Sequence, residues 1–491
     1  MARATESVFR HHWRAFFSGG LLSLTRLITG FVRIKYVALI LGTAGVGLLS
    51  QAGDLQILGI SIASLSVGII NRMGAIGPDN RERERRLLST AFTAQTIVSV
   101  IMVTGAVVFA RPLSRALFGA DVLAHSQIST LDVLAVVFSV PLSVVASGYL
   151  EGVFFGAGRY DLYVRASVWA TVLAFLSTLT LIAVWKVPGA FWSIFASSAL
   201  LFAAFFTFVR RIRPISHLFR LGFDPAEGNA LLRFSIAMLI GGTFLPAARL
   251  WVKSAVIGSY GIDALGLLQV PLAITSYYTP FLTSALWGRM HPTVTRVGAS
   301  RDGRHELTVS LRLTVCMATA AIVSILFLKD ILVPMAYSRA FLASTHLLPV
   351  QLLGDYCYFV ALPFTVYALG LSRLRVYLAA WLSYSVIAGV ASILLLPVVG
   401  IVAVPLGYGL SGALGAIVAI GWLISRRDDD LLPTLAIVFG GLILVSTQSV
   451  LAWYGRLFAI QGVLFAITSV SAVLFLWRSR AIPGPAALET P

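Results

Sequence analysis

Five basic side chains stand inside apolar stretches where hydrocarbon is expected to surround them. Arg26, Arg33 and Lys35 lie in SLTRLITGFVRIKYVALILG, and Arg249 and Lys253 lie in a later run of the same character. A charge at mid-helix in a bilayer costs roughly 2.5–3.5 kcal/mol on insertion scales, so five amount to something on the order of 12–17 kcal/mol if the terms add. Their spacing is ordered. Arg26 and Arg33, seven residues apart, fall within about 20° of one helical face and roughly 10 Å apart in height. Arg249 and Lys253, four apart, again share a face. Lys35 points away from Arg33 near the end of its run, where it either snorkels to the interface or faces inward.

Two chemistries account for such cations. They can pair with carboxylates in the apolar runs, for which Asp54, Asp132, Asp355 and Glu151 are available. Alternatively, they can line a water-filled cavity between two halves of the chain, selecting an anionic cargo such as a phosphate, pyrophosphate or acidic sugar. Asp54 and Asp132 fall near the outer ends of their runs, so full pairing at mid-depth is not expected, and the cavity is the favoured reading. Asp355, beside Tyr356 and Tyr358, is the first candidate for ion coupling, because a desolvated carboxylate can carry a proton. Asp132 and Asp54 are further candidates. Trp169, Trp251, Trp287, Tyr277 and Tyr278 offer faces for sugars, although packing is the commoner use of such rings.

The elements that must hold these residues are membrane helices. In 491 residues, 58% are hydrophobic and 12% charged, at a mean hydropathy of +0.90, which excludes a soluble globular domain. The net charge of +17 is scattered in short clusters, so no nucleic-acid partner is expected. Cys316 and Cys357 each sit in an apolar run, which excludes a disulfide framework and a cysteine metal site. There is no phosphate-binding glycine loop of the P-loop type, hence no cofactor and no direct use of ATP. No outer loop gathers the His, Asp and Glu that a glycosyltransferase or polymerase needs, so an enzyme is not expected.

Apolar runs of about 20 residues, the length that crosses a bilayer core, number fourteen from 18–41 to 458–477. The basic N-terminus MARATESVFRHHWRAFF leads into the first of them without a small-residue cleavage site, so an uncleaved span is expected. Counting Lys and Arg between the runs gives 26 on the side of the termini and 6 on the other, which places both termini in the cytoplasm by the positive-inside rule.

The chain also repeats after about 219 residues. Gly42-Thr-Ala-Gly-Val-Gly47-Leu-Leu aligns with Gly261-Ile-Asp-Ala-Leu-Gly266-Leu-Leu, each following a charged run. Asn71-Arg72-Met73 matches Gly288-Arg289-Met290, two residues out of step, and LFGADVLA from Leu117 matches AYSRAFLA from Ala336. The expected fold is therefore an all-α polytopic membrane protein of about 14 transmembrane helices, with two six-helix bundles related by a pseudo-two-fold axis and a C-terminal helix pair. Residues 1–209 form the first bundle, 210–233 a cytoplasmic connector, 234–425 the second bundle, and 426–491 the last two helices and a tail. The basic connector either lies on the anionic inner leaflet or is a solvated loop.

Fourteen spans in this arrangement, the G-x4-G-L-L after each half's first helix, and Gly400-Ile-Val-Ala-Val-Pro405-Leu-Gly-Tyr-Gly409 opening the twelfth span resemble the O-antigen flippase family of the multidrug/oligosaccharidyl-lipid/polysaccharide exporter superfamily. Thr25-Arg26 and Gly30-Phe31-Val32-Arg33 are also similar to the first helix of lipid II flippases, with one extra residue between the two parts. The second span departs from that type, reading Asp54-Leu-Gln-Ile-Leu-Gly-Ile-Ser in place of a Pro-Asn and paired arginines. The resemblance implies a bacterial inner-membrane flippase moving a polyprenyl-linked oligosaccharide of the undecaprenyl pyrophosphate type by alternating access. Arg26 and Arg33 would then meet the pyrophosphate or glycan. It further implies membrane lipids, a polysaccharide polymerase and chain-length machinery as partners, and a role in O-antigen or exopolysaccharide synthesis. A cation-coupled multidrug exporter and a lipid II flippase are the alternatives.

Overall fold

A computed structural model describes residues 2–76, 80–120, 122, 128–214, 218–426, 431–454, 460–469 and 471. Among the described residues there are fourteen α-helices and no strand. Nine helical stretches are long and apolar enough to cross a membrane. Four of these run 45 to 52 residues, which is about 70 Å or more at 1.5 Å per residue, over twice the apolar core. Each turns at one residue, Gly42, Lys186, Gly261 or Gly400, and the first is interrupted again at Ser64–Leu65. Splitting them at those turns yields thirteen spans, and the short apolar helix Ile460–Ser469 lies within the expected fourteenth. The remainder of the expected run 458–477, together with residues 427–430 ahead of the thirteenth span, lies outside the described residues.

The breaks explain why the sequence shows so little polar loop on that side. At Gly42 the backbone has φ 65° and at Gly261 φ 79°, values that L side chains adopt only with strain. A single residue thus turns the first span, 24–41, into the second, 43–63, and another turns the seventh, 239–260, into the eighth, 262–283. The repeat seen in sequence recurs in these dihedral angles. Positive φ pairs Gly42 with Gly261 at an offset of 219, Gly158 with Ser372 at 214, and Lys186 with Gly400 at 214.

The second glycine of each G-x4-G has a different task. A Cβ on Gly47 would lie 2.7 Å from the Ile262 carbonyl oxygen, and one on Gly266 would overlap the Thr43 carbonyl. The two hairpin tips therefore cross backbone against backbone, and Thr43 donates to the Asp263 carboxylate beside the crossing.

The chain divides into two compact units. One comprises Met1–Gly266 with Ala336–Ser338, the other Leu267–Met335 with Arg339–Pro491, so the seventh span packs within the first unit. In the first unit, the fourth span (Thr130–Gly156) passes through a π-helical stretch at Val144–Leu150 and carries Tyr149, Leu150, Val153 and Phe154 into a buried core. In the second, the thirteenth span (Leu431–Tyr454) docks on the tenth (Leu348–Gly370), where Tyr356 donates to the Val438 carbonyl at 2.5 Å.

The connector does not lie free. Tyr149 donates to Leu218 O at 2.5 Å, Thr93 Oγ1 donates to Gly222 O and accepts from its N–H, and Thr90 Oγ1 accepts from the Asp224 N–H. These bonds pin it to the arginine-rich ends of the third and fourth spans.

Candidate functional site

The rotation of the first span decides where its arginines point. Leu22 and Val37 lie within about 40° of Arg26 and Arg33 on the helical wheel, and both are buried, at 5% and 1% exposure. Leu24, Leu27, Ile28, Val32 and Leu39 occupy the opposite arc and are exposed. Tyr36 fixes this orientation by donating to Leu179 O of the fifth span at 3.2 Å. Arg26 and Arg33 are nevertheless exposed. The packed face of the helix is thus closed at Leu22 and Val37 and open between them, and the two guanidinium groups occupy that opening. Arg26 is within electrostatic reach of Glu151 and hydrogen-bonds with Tyr163. Arg33, among the described residues, makes no ion pair. Lys35 is half-buried on the other side of the helix.

The seventh span behaves differently. Lys253 is 4% exposed and forms an ion pair with Asp54 at 2.5 Å, with Ser50 as a second partner at the same distance. One turn earlier, Arg249 is half-buried and within electrostatic reach of Lys253. Beside this pair Gln51 donates to Ser254 Oγ at 2.9 Å and to Leu117 O at 3.1 Å. Two residues singled out from the sequence for separate roles, the cation Lys253 and the carboxylate Asp54, are therefore each other's partner.

Asp132 caps a helix. Its carboxylate accepts from the Ser129 backbone N–H at 2.7 Å, completing a capping box at the start of the fourth span, and from Trp192 Nε1 at 3.0 Å. Asp355 is 5% exposed in the tenth span and accepts from Thr275 Oγ1 at 2.5 Å, Tyr278 Oη at 2.6 Å and Gln351 Nε2 at 2.8 Å. Those three donors are neutral side chains. Among the described residues no cluster of His, Cys, Asp and Glu could hold a metal ion.

One polar cluster was not anticipated from sequence. Glu227 in the connector is gripped by Arg72 at 2.8 Å and Arg83 at 2.7 Å, and Glu84 receives Arg213 at 2.9 Å. Burial alone would push the Glu227 carboxyl up, but hydrogen bonds from Arg72 and Arg83 outweigh it and hold the group below the usual carboxylate range. The hydrogen bond to Glu84 raises Arg213 further. The signal available was the alternation in Arg81-Glu82-Arg83-Glu84, which places carboxylates within a basic cluster.

Comparison with known proteins places this architecture. A model of the polysaccharide biosynthesis protein family matches residues 67–346, more than half of the chain. The chain belongs to the polysaccharide biosynthesis protein family. Among curated relatives, proteins named lipid III flippase from Escherichia coli (strain K12) and Shigella flexneri are each 25% identical over 365 residues, covering 74% of this chain and 86% of theirs. The fold is that of solved membrane transporters. The lipid II flippase MurJ in an inward-closed conformation superposes with a TM-score of 0.68 at 14% identity, over 94% of this chain and 99% of that one. An inward-facing multidrug resistance MATE family transporter of the MOP superfamily gives 0.63 at 14% identity, over 84% and 95%. This member of the family is accordingly an all-helical, multi-pass membrane protein with the two-lobed transporter fold.

Proposed function

We propose that this protein is a flippase that carries a polyprenyl-(pyro)phosphate-linked oligosaccharide from the cytoplasmic to the outer leaflet by alternating access, for assembly of a surface polysaccharide. The observation that carries the reading is the opening on the packed face of the first span, where Arg26 and Arg33 stand exposed between buried Leu22 and Val37. Two guanidinium groups about 10 Å apart along a helix suit a cargo with more than one anionic group, and each can grip a phosphate through two parallel hydrogen bonds. Arg249 extends the cationic surface, with Lys35 and Lys253 contributing charge rather than contact. The relatives named as flippases of lipid-linked saccharides support the same cargo class, and the 26-to-6 distribution of basic residues supports cytoplasmic termini.

Within this proposal, residues 1–209 and 234–425 are the two repeated halves, 210–233 the connector and 426–491 an accessory pair. Export of an anionic headgroup draws on the membrane potential, about 2.3 kcal/mol per charge per 100 mV, or on an ion exchanged at Asp355. Asp132 and Asp54 have structural partners and rank behind it. The deciding experiment deletes the gene and follows lipid-linked oligosaccharides by mass spectrometry. The expected result is loss of one surface polysaccharide with its lipid-linked unit accumulating on the inner leaflet, restored by the wild-type gene and not by Arg33→Ala. Loss of resistance to cationic drugs with polysaccharides intact would replace this reading with that of a multidrug exporter.

A further inference from the structure

The second unit contains a cavity of about 470 Å³ among the tenth span, the eleventh (Leu374–Val399) and the twelfth (Ala403–Arg426). Its wall is aromatic, with Tyr367, Trp381, Tyr384 and Trp422 around it. The aliphatic hydroxyls that reach it, those of Thr365, Ser383 and Ser411, each donate to a backbone carbonyl. The surface of the wall is predominantly apolar, which suits a hydrocarbon chain better than a sugar or a peptide. Along the eleventh span the lining runs from Arg373 to Ile387, about 21 Å of helix, or roughly two-thirds of an apolar core. Leu414 and Val418, which also line it, are 48% and 73% exposed, so the cavity opens sideways where the bilayer lies.

Arg373 sits at its mouth, and the internal repeat shows what is unusual there. The turn at Ser372, φ 56°, corresponds to the turn at Gly158, φ 66°, at the offset of 214. In the first copy the next residue, Arg159, is neutralised by Asp161 at 3.1 Å. The equivalent pair in the second copy is Arg373 and Arg375. A carboxylate has been exchanged for a second arginine, and among the described residues neither Arg373 nor Arg375 has an ion-pair partner. The second copy therefore presents exposed Arg373 at the open end of an apolar slot, with exposed Arg375 two residues further along the chain.

We propose that this slot holds one acyl chain of an anionic phospholipid from the leaflet on the arginine-rich face, with its phosphate on Arg373 and Arg375. The lateral opening admits a lipid already in the bilayer, and the paired charge selects an anionic headgroup over a zwitterionic one. Arg373 and Arg375 are distinct from Arg26 and Arg33, which the transport reading assigns to the phosphate of the cargo lipid. The resident is an ordinary membrane lipid, and the inference stands apart from the proposed transport activity.

The test is lipid retention by the full-length protein, purified from bilayers of mixed phosphatidylglycerol and phosphatidylcholine and read by native mass spectrometry. Wild type should keep one phosphatidylglycerol. Arg375→Asp, which recreates the self-neutralised turn of the first copy, should lower that retention about tenfold, as expected when charge-assisted contacts are removed. Ala380→Phe, which fills the cavity and leaves both arginines, should lower it similarly, and either variant alone decides the matter if the other does not fold. Equal retention of both lipids by wild type, undiminished retention in a folded variant, or a polyprenyl phosphate in the slot would overturn the proposal.

Discussion

Lys253 and Arg33 are both cations in apolar helices, and the structure gives them opposite responses to loss of charge. Lys253 is 4% exposed and Asp54 10%, at 2.5 Å from each other. Lys253→Met leaves Asp54 buried without its counter-ion, and breaking a buried pair in this way costs about 3–5 kcal/mol. At 1.4 kcal/mol per tenfold, that is more than a hundredfold in the folded fraction, so membrane abundance should collapse. Asp54→Leu alone should do the same, whereas Lys253→Met with Asp54→Leu should restore abundance, because two apolar groups of similar volume replace the pair. Arg33 is exposed and has no ion pair among the described residues. Arg33→Ala should therefore move folding by no more than about 0.5 kcal/mol while abolishing export, and Arg33→Lys should retain part of it. The assay is complementation of export in a deletion strain, scored beside protein abundance and thermal stability in detergent. Normal abundance of Lys253→Met with export lost would show that Lys253 touches cargo, and depletion of Arg33→Ala would show that Arg33 is structural.

Gly266→Ala forces a Cβ into the Thr43 carbonyl, and overpacking of this kind costs about 1–3 kcal/mol; a lower melting temperature than Gly421→Ala, where nothing obstructs a Cβ, is the expected result. Glu227 is held below its ordinary pKa, so its contribution is complete above about pH 4.3 and fades as the pH falls through the lower folded value. Proteolysis of the connector should accordingly stay slow at pH 5 and accelerate only under stronger acid, while Glu227→Gln should be cut rapidly at neutral pH. Lys186 holds φ 49° without being glycine, a conformation costing roughly 1–2 kcal/mol, so Lys186→Gly should raise thermal stability and leave export unchanged. Asp355→Asn, if the carboxylate couples transport, should remove the dependence of flipping on an imposed pH gradient in proteoliposomes; unchanged dependence assigns Asp355 a packing role.

The spans were legible in the sequence because hydrocarbon demands about twenty apolar residues whatever the fold. The repeat was legible because Gly42 and Gly261 occupy a backbone region that side chains avoid, and Gly47 and Gly266 sit where two backbones cross. The pairing of Lys253 was not, since Asp54 belongs to a different hairpin and only tertiary structure brings the two to contact distance. The sequence also described the connector as basic and left it on the leaflet or in solvent. What fixes it is a pair of carboxylates, Glu84 and Glu227, whose partners lie on other segments and whose roles depend on burial that composition does not register. Arg26 and Arg33 were recognisable as a pair from their spacing, but the opening that exposes them depends on the depth at which Leu22 and Val37 pack.

The offset between the two copies changes from 219 to 214 along the chain. LFGADVLA and AYSRAFLA still align at 219, whereas Gly158 and Ser372 align at 214. One change of register therefore falls between Ala124 and Gly158, where the paired helices differ in length. The fourth span takes 27 residues from Thr130 to Gly156, and its counterpart takes 23 from Leu348 to Gly370. The longer helix widens to a π-helix at Val144–Leu150, while its counterpart stays α-helical. A π-helical stretch inside an α-helix is uncommon, and its i→i+5 bonding takes up more residues per turn than the α-helix does. The two copies thus differ by four residues across this span, and the wide turn in the first copy takes up part of that difference.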